Sequence, residues 1–370
     1  MSGGASPIGL YLHVPFCDGK CPYCDFYSMR AGGMKLRQYM DALLRRIRSF
    51  QGRGIALDTV YFGGGTPSLL GDKRLARLLG AVRESFALAP GAEITVEVNP
   101  TREPGRLYQG LREAGVNRIS LGLQSAQDGE LRLLGRRHTA AQAARAVEAA
   151  RQAGFSNISL DLMLATPGQT EDSLRRSIQF CGELGVEHVS AYLLKIEPGT
   201  EFHQRQASLS LPGEDETAAR YLLACQELEA AGYAQYEISN FARPGFSSRH
   251  NLKYWRCEEY LGLGPSSHSF FEGRRFYYPR SLTQFLLEEP PVQDGEGGGF
   301  EEFAMLALRL TEGLREDRCQ ARFGHSIPAA MRARAEPLAR AGYCALSPEG
   351  IRLTRQGFLV SNSVISRLIL

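Results

Sequence analysis

Long apolar runs are missing from this 370-residue chain. None approaches the ~20 consecutive apolar residues of a bilayer-spanning helix. The opening Met1-Ser-Gly-Gly-Ala-Ser-Pro7 has neither the basic start nor the apolar centre of a secretory signal. Both absences point to a cytoplasmic chain whose thiols stay reduced. An excess of one charge is missing too: 43 Lys and Arg against 40 Asp and Glu leave a net charge of +3. That balance does not call for nucleic acid, and it leaves a loose contact with a membrane surface open. No internal repeat of fixed period is present. Tryptophan occurs once, as Trp255. What remains, 43% hydrophobic and 22% charged residues, is an ordinary globular composition. The length favours two domains, or one large domain with an appendage.

Cysteine is present but unevenly placed. Five of the eight, Cys181, Cys225, Cys257, Cys319 and Cys344, are scattered without ligand spacing and read as small buried apolar residues. The other three stand together in Tyr11-Leu-His-Val-Pro-Phe-Cys-Asp-Gly-Lys-Cys-Pro-Tyr-Cys-Asp-Phe26. The C-x3-C-x2-C spacing of Cys17, Cys21 and Cys24 puts three thiolates within reach of one metal centre. Three is one short of closing a four-iron cluster, and an iron with an open position can bind a small molecule. The odd number and the reducing compartment disfavour a disulfide. Spacing alone leaves structural zinc open, with His13 completing a Cys3His set, although zinc ligands usually come in two separated pairs.

Up to about residue 240 the chain alternates strand and helix patterns. The strand-like runs are Ile8–Val14, Asp58–Phe62, Ile94–Val98, Arg118–Leu123, Ile158–Met163 and His188–Leu194. Between them lie segments of helical period, such as Leu36, Met40, Leu43, Leu44 and Ile47. Repeated strand–helix units imply a parallel sheet. Six units predict an α/β fold, an open, partial (β/α)6 barrel. The unusual residues follow the strands: the cysteines, Gly63-Gly-Gly-Thr-Pro67, Glu97 with Asn99-Pro100, Gln124-Ser125, and Asp161 leading to Thr166-Pro-Gly168. Carboxyl ends of parallel strands are where such folds build their sites. Further on, Glu288–Gly299 reads as a linker. After it come a helix over Glu301–Leu310, two short strands around Ser347-Pro-Glu349 and a final helix over Gln356–Leu370. This suggests a mostly helical, winged-helix-like module with no dense basic recognition helix, so nucleic acid is not an expected partner. The expected boundaries are a core of residues 1–240, an extension of 241–290 and a module of 300–370.

These motifs together resemble the radical S-adenosylmethionine (SAM) superfamily. Tyr11-x-His13-x-Pro15-Phe16-Cys17, Tyr61-Phe-Gly-Gly-Gly-Thr-Pro-Ser68, Arg118-x-Ser-x-Gly-x-Gln124-Ser and Pro167-Gly-Gln-Thr170 are similar to the HemN/HemW group. That group comprises oxygen-independent coproporphyrinogen III dehydrogenases and their heme-chaperone relatives. The resemblance implies a [4Fe–4S] cluster on Cys17, Cys21 and Cys24, with SAM on the fourth iron, whose sulfonium an electron splits to a 5′-deoxyadenosyl radical. It matches Tyr11, Gly64 and Glu97 to one SAM site. Tyr23, Gly65, Thr66, Gln124, Arg136 and Asp161 match positions around the second SAM of the dehydrogenases. Glycines would let backbone approach the methionyl end closely, and Arg136 suits a carboxylate.

Two departures separate this chain from the dehydrogenases. Phe26 stands where they carry a further cysteine, and only ten residues precede Tyr11, where they have a longer arm. His250-Asn-Leu-Lys-Tyr-Trp255 resembles the H-N-x-x-Y-W mark of the heme chaperones. It implies heme held by His250, a residue type that serves as a proximal iron ligand, beside the flat faces of Tyr254 and Trp255. Cys257 is a weaker second ligand and His268 a minor candidate near the same pocket. His138, His188, His203 and His325 carry no expectation. The resemblance further implies transfer of heme to an acceptor hemoprotein of the respiratory chain, and allows a peripheral membrane contact and a homodimer. The alternative within the group is true dehydrogenase chemistry.

Overall fold

Six parallel strands form the centre of the sheet: β1 (Ile8–Val14), β2 (Ala56–Gly64), β3 (Ala87–Val98), β4 (Arg118–Gln124), β5 (Ile158–Leu164) and β6 (His188–Leu193). The computed structural model describes residues 6–30, 32–100 and 105–370. Crossovers run through α1 (Gly33–Arg48), α2 (Asp72–Ser85), α3 (Gly105–Glu113), α4 (Asp128–Leu133), α5 (Ala140–Gln152) and α6 (Glu171–Glu183). The six-unit partial barrel expected from the sequence is the fold observed.

Period-2 alternation explains the layering. In β1, Leu10, Leu12 and Val14 are fully buried against the helices, while Gly9, Tyr11 and His13 face the barrel interior. Helix α1 answers with Tyr39, Leu43, Leu44 and Ile47 on one buried face. Thr139 and Thr170 cap α5 and α6, each in a reciprocal bond with the residue three further on, a device whose loss costs about 1 kcal/mol.

Beyond β6 come α7 (Glu201–Gln204), α8 (Glu214–Ala230) and the short strands β7 (Ala234–Gln235) and β8 (Asn240–Ala242). The chain then crosses beneath the barrel as α9 (Arg249–Trp255). It re-enters the sheet on the far side of β1 as β9 (Tyr260–Leu263), a seventh parallel strand. Three antiparallel strands extend this side into a wing: β10 (His268–Phe271), β11 (Arg274–Tyr277) and β12 (Val292–Glu296). The full order is β12-β11-β10-β9-β1-β2-β3-β4-β5-β6-β8-β7. Strand β12 falls inside the segment whose composition reads as a linker. All five of its residues are exposed, and its register slips at a bulge opposite Arg274 and Phe276, so no hydrophobic alternation marks it.

After α10 (Leu282–Leu286) and the wing, helices α11 (Phe300–Ala307), α12 (Glu316–Phe323) and α13 (Ala329–Arg340) pack with a small sheet. Its strands are β13 (Leu314–Arg315), β14 (Cys344–Ser347) and β15 (Gly350–Leu353), with β15 central. The final helix expected over Gln356–Leu370 is two, α14 (Arg355–Leu359) and α15 (Ser361–Ile369), broken at the non-helical Val360. No helix among the described residues is long and apolar enough to cross a membrane.

Candidate functional site

The cysteine loop leaves β1 at the carboxyl end of the barrel and is pinned there by the glycine loop after β2. Gly65 N–H donates to Val14 O at 2.8 Å and Thr66 N–H to Phe16 O at 2.7 Å. Gly64 sits at φ +110°, and a Cβ on it would lie 2.5 Å from the His13 ring. A Cβ on Gly65 would lie 2.6 Å from Phe16 O. Only glycine fits this contact. The sequence reading assigned these glycines to close approach by a ligand; the structure fills the same faces with His13 and the Val14–Phe16 backbone, so their first task is to seat the cysteine strand.

All three thiols are free and half-buried. Cys17 Sγ lies 3.5 Å from Thr66 Oγ1, Arg136 Nη1 donates to Cys21 Sγ at 3.8 Å, and burial raises the Cys24 thiol pKa. His13 is already engaged: one ring nitrogen meets Tyr11 OH at 3.1 Å and the other Tyr27 O at 3.0 Å. Burial lowers its pKa to about 4, so it stays neutral. Among the described residues no three His, Cys, Asp or Glu side chains converge tightly enough for a single ion. Phe26, 68% exposed, projects from the end of the loop.

Below the cysteines the barrel interior is polar, and the pairing registers say why. Tyr11 faces Tyr61, Glu97 faces Ser120, and Asp161 faces Gly122 and Ser190. Glu97 accepts from Tyr61 OH at 2.9 Å and from Gly64 N–H at 3.2 Å. Its pKa is pushed up to about 7 by burial and then by Asp161, against the pull of those two hydrogen bonds. Asp161 accepts from Ser120 Oγ at 3.2 Å, and its pKa too is raised by burial. Arg136 Nη2 donates to Asn99 Oδ1 at 2.6 Å and to Gly122 O at 2.8 Å, and Asn99 Nδ2 donates to Thr66 Oγ1 at 2.9 Å. The Arg136 Nε and Thr166 Oγ1 atoms are buried without a hydrogen-bond partner among the described residues, unmet polar groups of the kind a ligand satisfies. Gln124 (φ +70°) and Ala165 (φ +59°) hold left-handed conformations at the mouth ends of β4 and β5, strain of a kind that clusters at binding sites. Tyr23 leans on Phe202 at 6.2 Å beside Leu134 and Met163. The structure thus brings Tyr23, Gly64, Gly65, Thr66, Gln124 and Arg136 to the mouth with the cysteines and Tyr11, Glu97 and Asp161 into the lumen below them, where the Tyr11 ring stacks at 6.4 Å on that of His250.

Sequence reasoning placed Asn99 at a strand end without a role and missed Tyr61 and Arg118 as parts of this arrangement. Arg118, 1% exposed, is the largest fully buried side chain, and its charge faces Glu93, Tyr61 and Asp161. Counting back in twos from Glu97, or from Gly63 and Ser120, would have found the interior set.

His250 lies at the opposite end. Helix α9 crosses under β3, β2 and β1: its first amides donate to the Glu93 carboxylate, Arg249 donates to Gly91 O and Asp58 O, and Lys253 donates to Pro7 O. A carboxylate at a helix N-terminus is favourable. The buried Lys253 ammonium is paired with Asp58 at 2.9 Å and Glu258 at 3.2 Å. The His250 ring is 1% exposed and stacks on Tyr61 at 5.1 Å. One nitrogen meets Thr59 Oγ1 and the other Tyr254 OH, both at 2.8 Å. The sequence reading gave this residue to heme iron. In the structure both nitrogens are hydrogen-bonded and the ring is packed at the amino end of the barrel. Cys257 is buried likewise, and Trp255 lies under Arg309 of the C-terminal module.

Comparison with known proteins agrees with this geometry. Residues 11–181 match the radical SAM superfamily and residues 300–360 the HemN C-terminal domain. The heme chaperone HemW of Mycobacterium tuberculosis is 39% identical over 98% of this chain and 95% of its own. That of Bacillus subtilis is 35% identical over 97% and 98%. The crystal structure of HemN, the coproporphyrinogen III oxidase of Escherichia coli, superposes with a TM-score of 0.82 at 24% identity, covering 98% of this chain and 90% of the other, a likeness of fold. A barrel of this form, with three thiols at its mouth and such relatives along nearly its whole length, places the chain in the HemW family of radical SAM proteins.

Proposed function

We propose that this chain is a cytoplasmic heme chaperone that holds a [4Fe–4S] cluster and SAM at the barrel mouth, binds heme and passes it to a respiratory hemoprotein. The observation that carries the cofactor part is the trio of free, half-buried thiols seated by the glycine loop above a polar barrel. Cys17, Cys21 and Cys24 would hold the cluster, which when bound supplies an electron and an open iron position. The chain's own groups do the rest: Glu97 offers a carboxylate to a cationic amine, Arg136 an unmet Nε–H to a carboxylate, and Tyr61 and the buried His13 hold Glu97 and Tyr11 in place. The heme part is supported by full-length likeness to proteins named heme chaperones. Contact with the membrane surface and a homodimer belong to the same reading.

Anaerobic titration of the cluster-reconstituted protein with heme tests it. Stoichiometric binding without conversion of coproporphyrinogen III is the expected result; conversion to protoporphyrinogen IX would replace the chaperone reading with dehydrogenase chemistry.

A pH dependence follows from Glu97. With a pKa of about 7, its ionised fraction rises from ~10% at pH 6 to ~90% at pH 8. SAM affinity is expected to climb roughly tenfold over that interval by equilibrium dialysis, and the Glu97→Gln protein to lose the climb. A flat wild-type profile would remove Glu97 from the amine site.

A further inference from the structure

We infer that His268 is the residue that ligates heme iron, at the top of the wing beside the cysteine loop; this rests on the heme-binding reading above. Iron needs an imidazole with a free lone pair and room for a macrocycle against it. Four of the seven histidines fail that demand. His13, His188 and His250 are buried with both nitrogens engaged, and His138 is buried with its Nε2 on Leu123 O. His268 is exposed, and neither of its ring nitrogens has a hydrogen-bond partner among the described residues.

Its setting is built for a flat ligand. His268 and Tyr277 are cross-strand partners, their rings stacked at 5.2 Å and 26°, which fixes the imidazole plane and leaves its nitrogen edges open. Tyr277 pairs in turn with Val292 of β12, also exposed. Imidazole, phenol ring and isopropyl group therefore form one row across three strands. The registers Tyr11↔Gly262 and Tyr260↔Phe270 put His268 on the same side of the sheet as Tyr11 and the barrel interior.

The row is tied to the cysteine loop. The turn into β10 passes so close to β1 that a Cβ on Gly264 would lie 2.5 Å from His13 O. Just after β11, Arg280 binds the backbone and carboxylate of Asp25, next to Cys24, and Leu282 N–H donates to Tyr27 OH at 2.7 Å. Arg280, half-exposed, offers a cation at this end for a heme propionate. Burial lowers the His268 pKa, Arg275 lowers it further, and Asp294 opposes them, so a neutral ring is favoured at physiological pH.

His203 and His325 are the other exposed histidines. His203 has no aromatic ring stacked on it among the described residues. His325 lies in the C-terminal module against Phe300 and Phe323, its Nδ1–H donating to Ser326 O at 2.8 Å and its Nε2 left free among the described residues, which makes it the control the test needs.

The test is a hemin titration of the full-length, cluster-reconstituted protein beside His268→Gly, His203→Ala and His325→Ala, followed by the Soret band and electron paramagnetic resonance. The expected result is that His268→Gly alone weakens hemin binding tenfold or more and changes the ferric spectrum. Added imidazole restores the wild-type spectrum, and iron-free protoporphyrin IX binds wild type and His268→Gly alike. An unchanged spectrum and affinity in His268→Gly overturns the assignment while leaving the chaperone reading standing, as does transfer of the effect to His203 or His325. Failure of the wild type to bind hemin overturns the chaperone reading and this assignment with it.

Discussion

Replacing Cys21 with alanine is expected to give a folded protein that holds no cluster. The side chain is half-buried in a loop at the barrel mouth and supports no part of the hydrophobic core. Its loss therefore removes less than about 1 kcal/mol of stability, as surface-loop substitutions do. What it removes is one of the three thiols proposed to hold the cluster, and the sulfur that Arg136 Nη1 contacts at 3.8 Å. The protein should purify at wild-type yield with an unchanged thermal midpoint. Its broad visible absorbance should be absent after anaerobic reconstitution, and its bound iron and sulfide near zero. Cys17→Ala and Cys24→Ala should behave alike. Intact absorbance in Cys21→Ala would mean that the cluster sits elsewhere.

His250→Ala should do the reverse: unsettle the fold and leave the cysteine loop's chemistry to follow the fold. Removing the ring empties a site stacked on Tyr61 at 5.1 Å and strips partners from two buried hydroxyls, of Thr59 and Tyr254. A buried ring truncation with orphaned polar groups costs about 3–5 kcal/mol. Differential scanning calorimetry should show a lower midpoint. With His268 as the proposed ligand, hemin affinity measured well below that midpoint should match wild type. Loss of hemin binding with an unchanged midpoint would restore His250 as the ligand. The pH profile gives a second handle. Burial, with Lys253 and Arg118 nearby, lowers the His250 pKa from 6.5 to about 3. Between those values the unfolded chain takes a proton that the folded chain refuses. That favours unfolding, so the contribution is nil above pH 6.5 and stability falls as the pH drops from 6.5 toward 3. His250→Gln should flatten part of the acid limb of the wild-type stability curve.

The contrast between these two residues shows what the sequence could convey. The cysteine spacing and the strand ends are local patterns, and the six central strands lie where period-2 alternation and turn residues put them. Strand β1 matches its expected bounds residue for residue. His250 is harder to place because this barrel has a polar lumen. A polar, aromatic motif reads as a ligand site from sequence, yet here it meets Thr59, Glu93 and Asp58 from strands far away in the chain. Pairings at such separation leave no local trace. Strand β12 was hidden for another reason: at a bulged outer edge with every residue exposed, it needs no apolar alternation.

The pairing of β1 with β9 also sets a clock on synthesis. Gly9 finds its partner Tyr260 only after roughly 250 more residues have left the ribosome, some 10–50 s at ordinary elongation rates. Through that time the strand bearing the cysteines has one raw hydrogen-bonding edge, and the barrel floor lacks α9. The nascent chain therefore passes through a long window in which its cysteine loop is made and its scaffold is unfinished. Iron delivered in that window would meet thiols on an unsealed seam, so loading after chain release is the order that this topology favours.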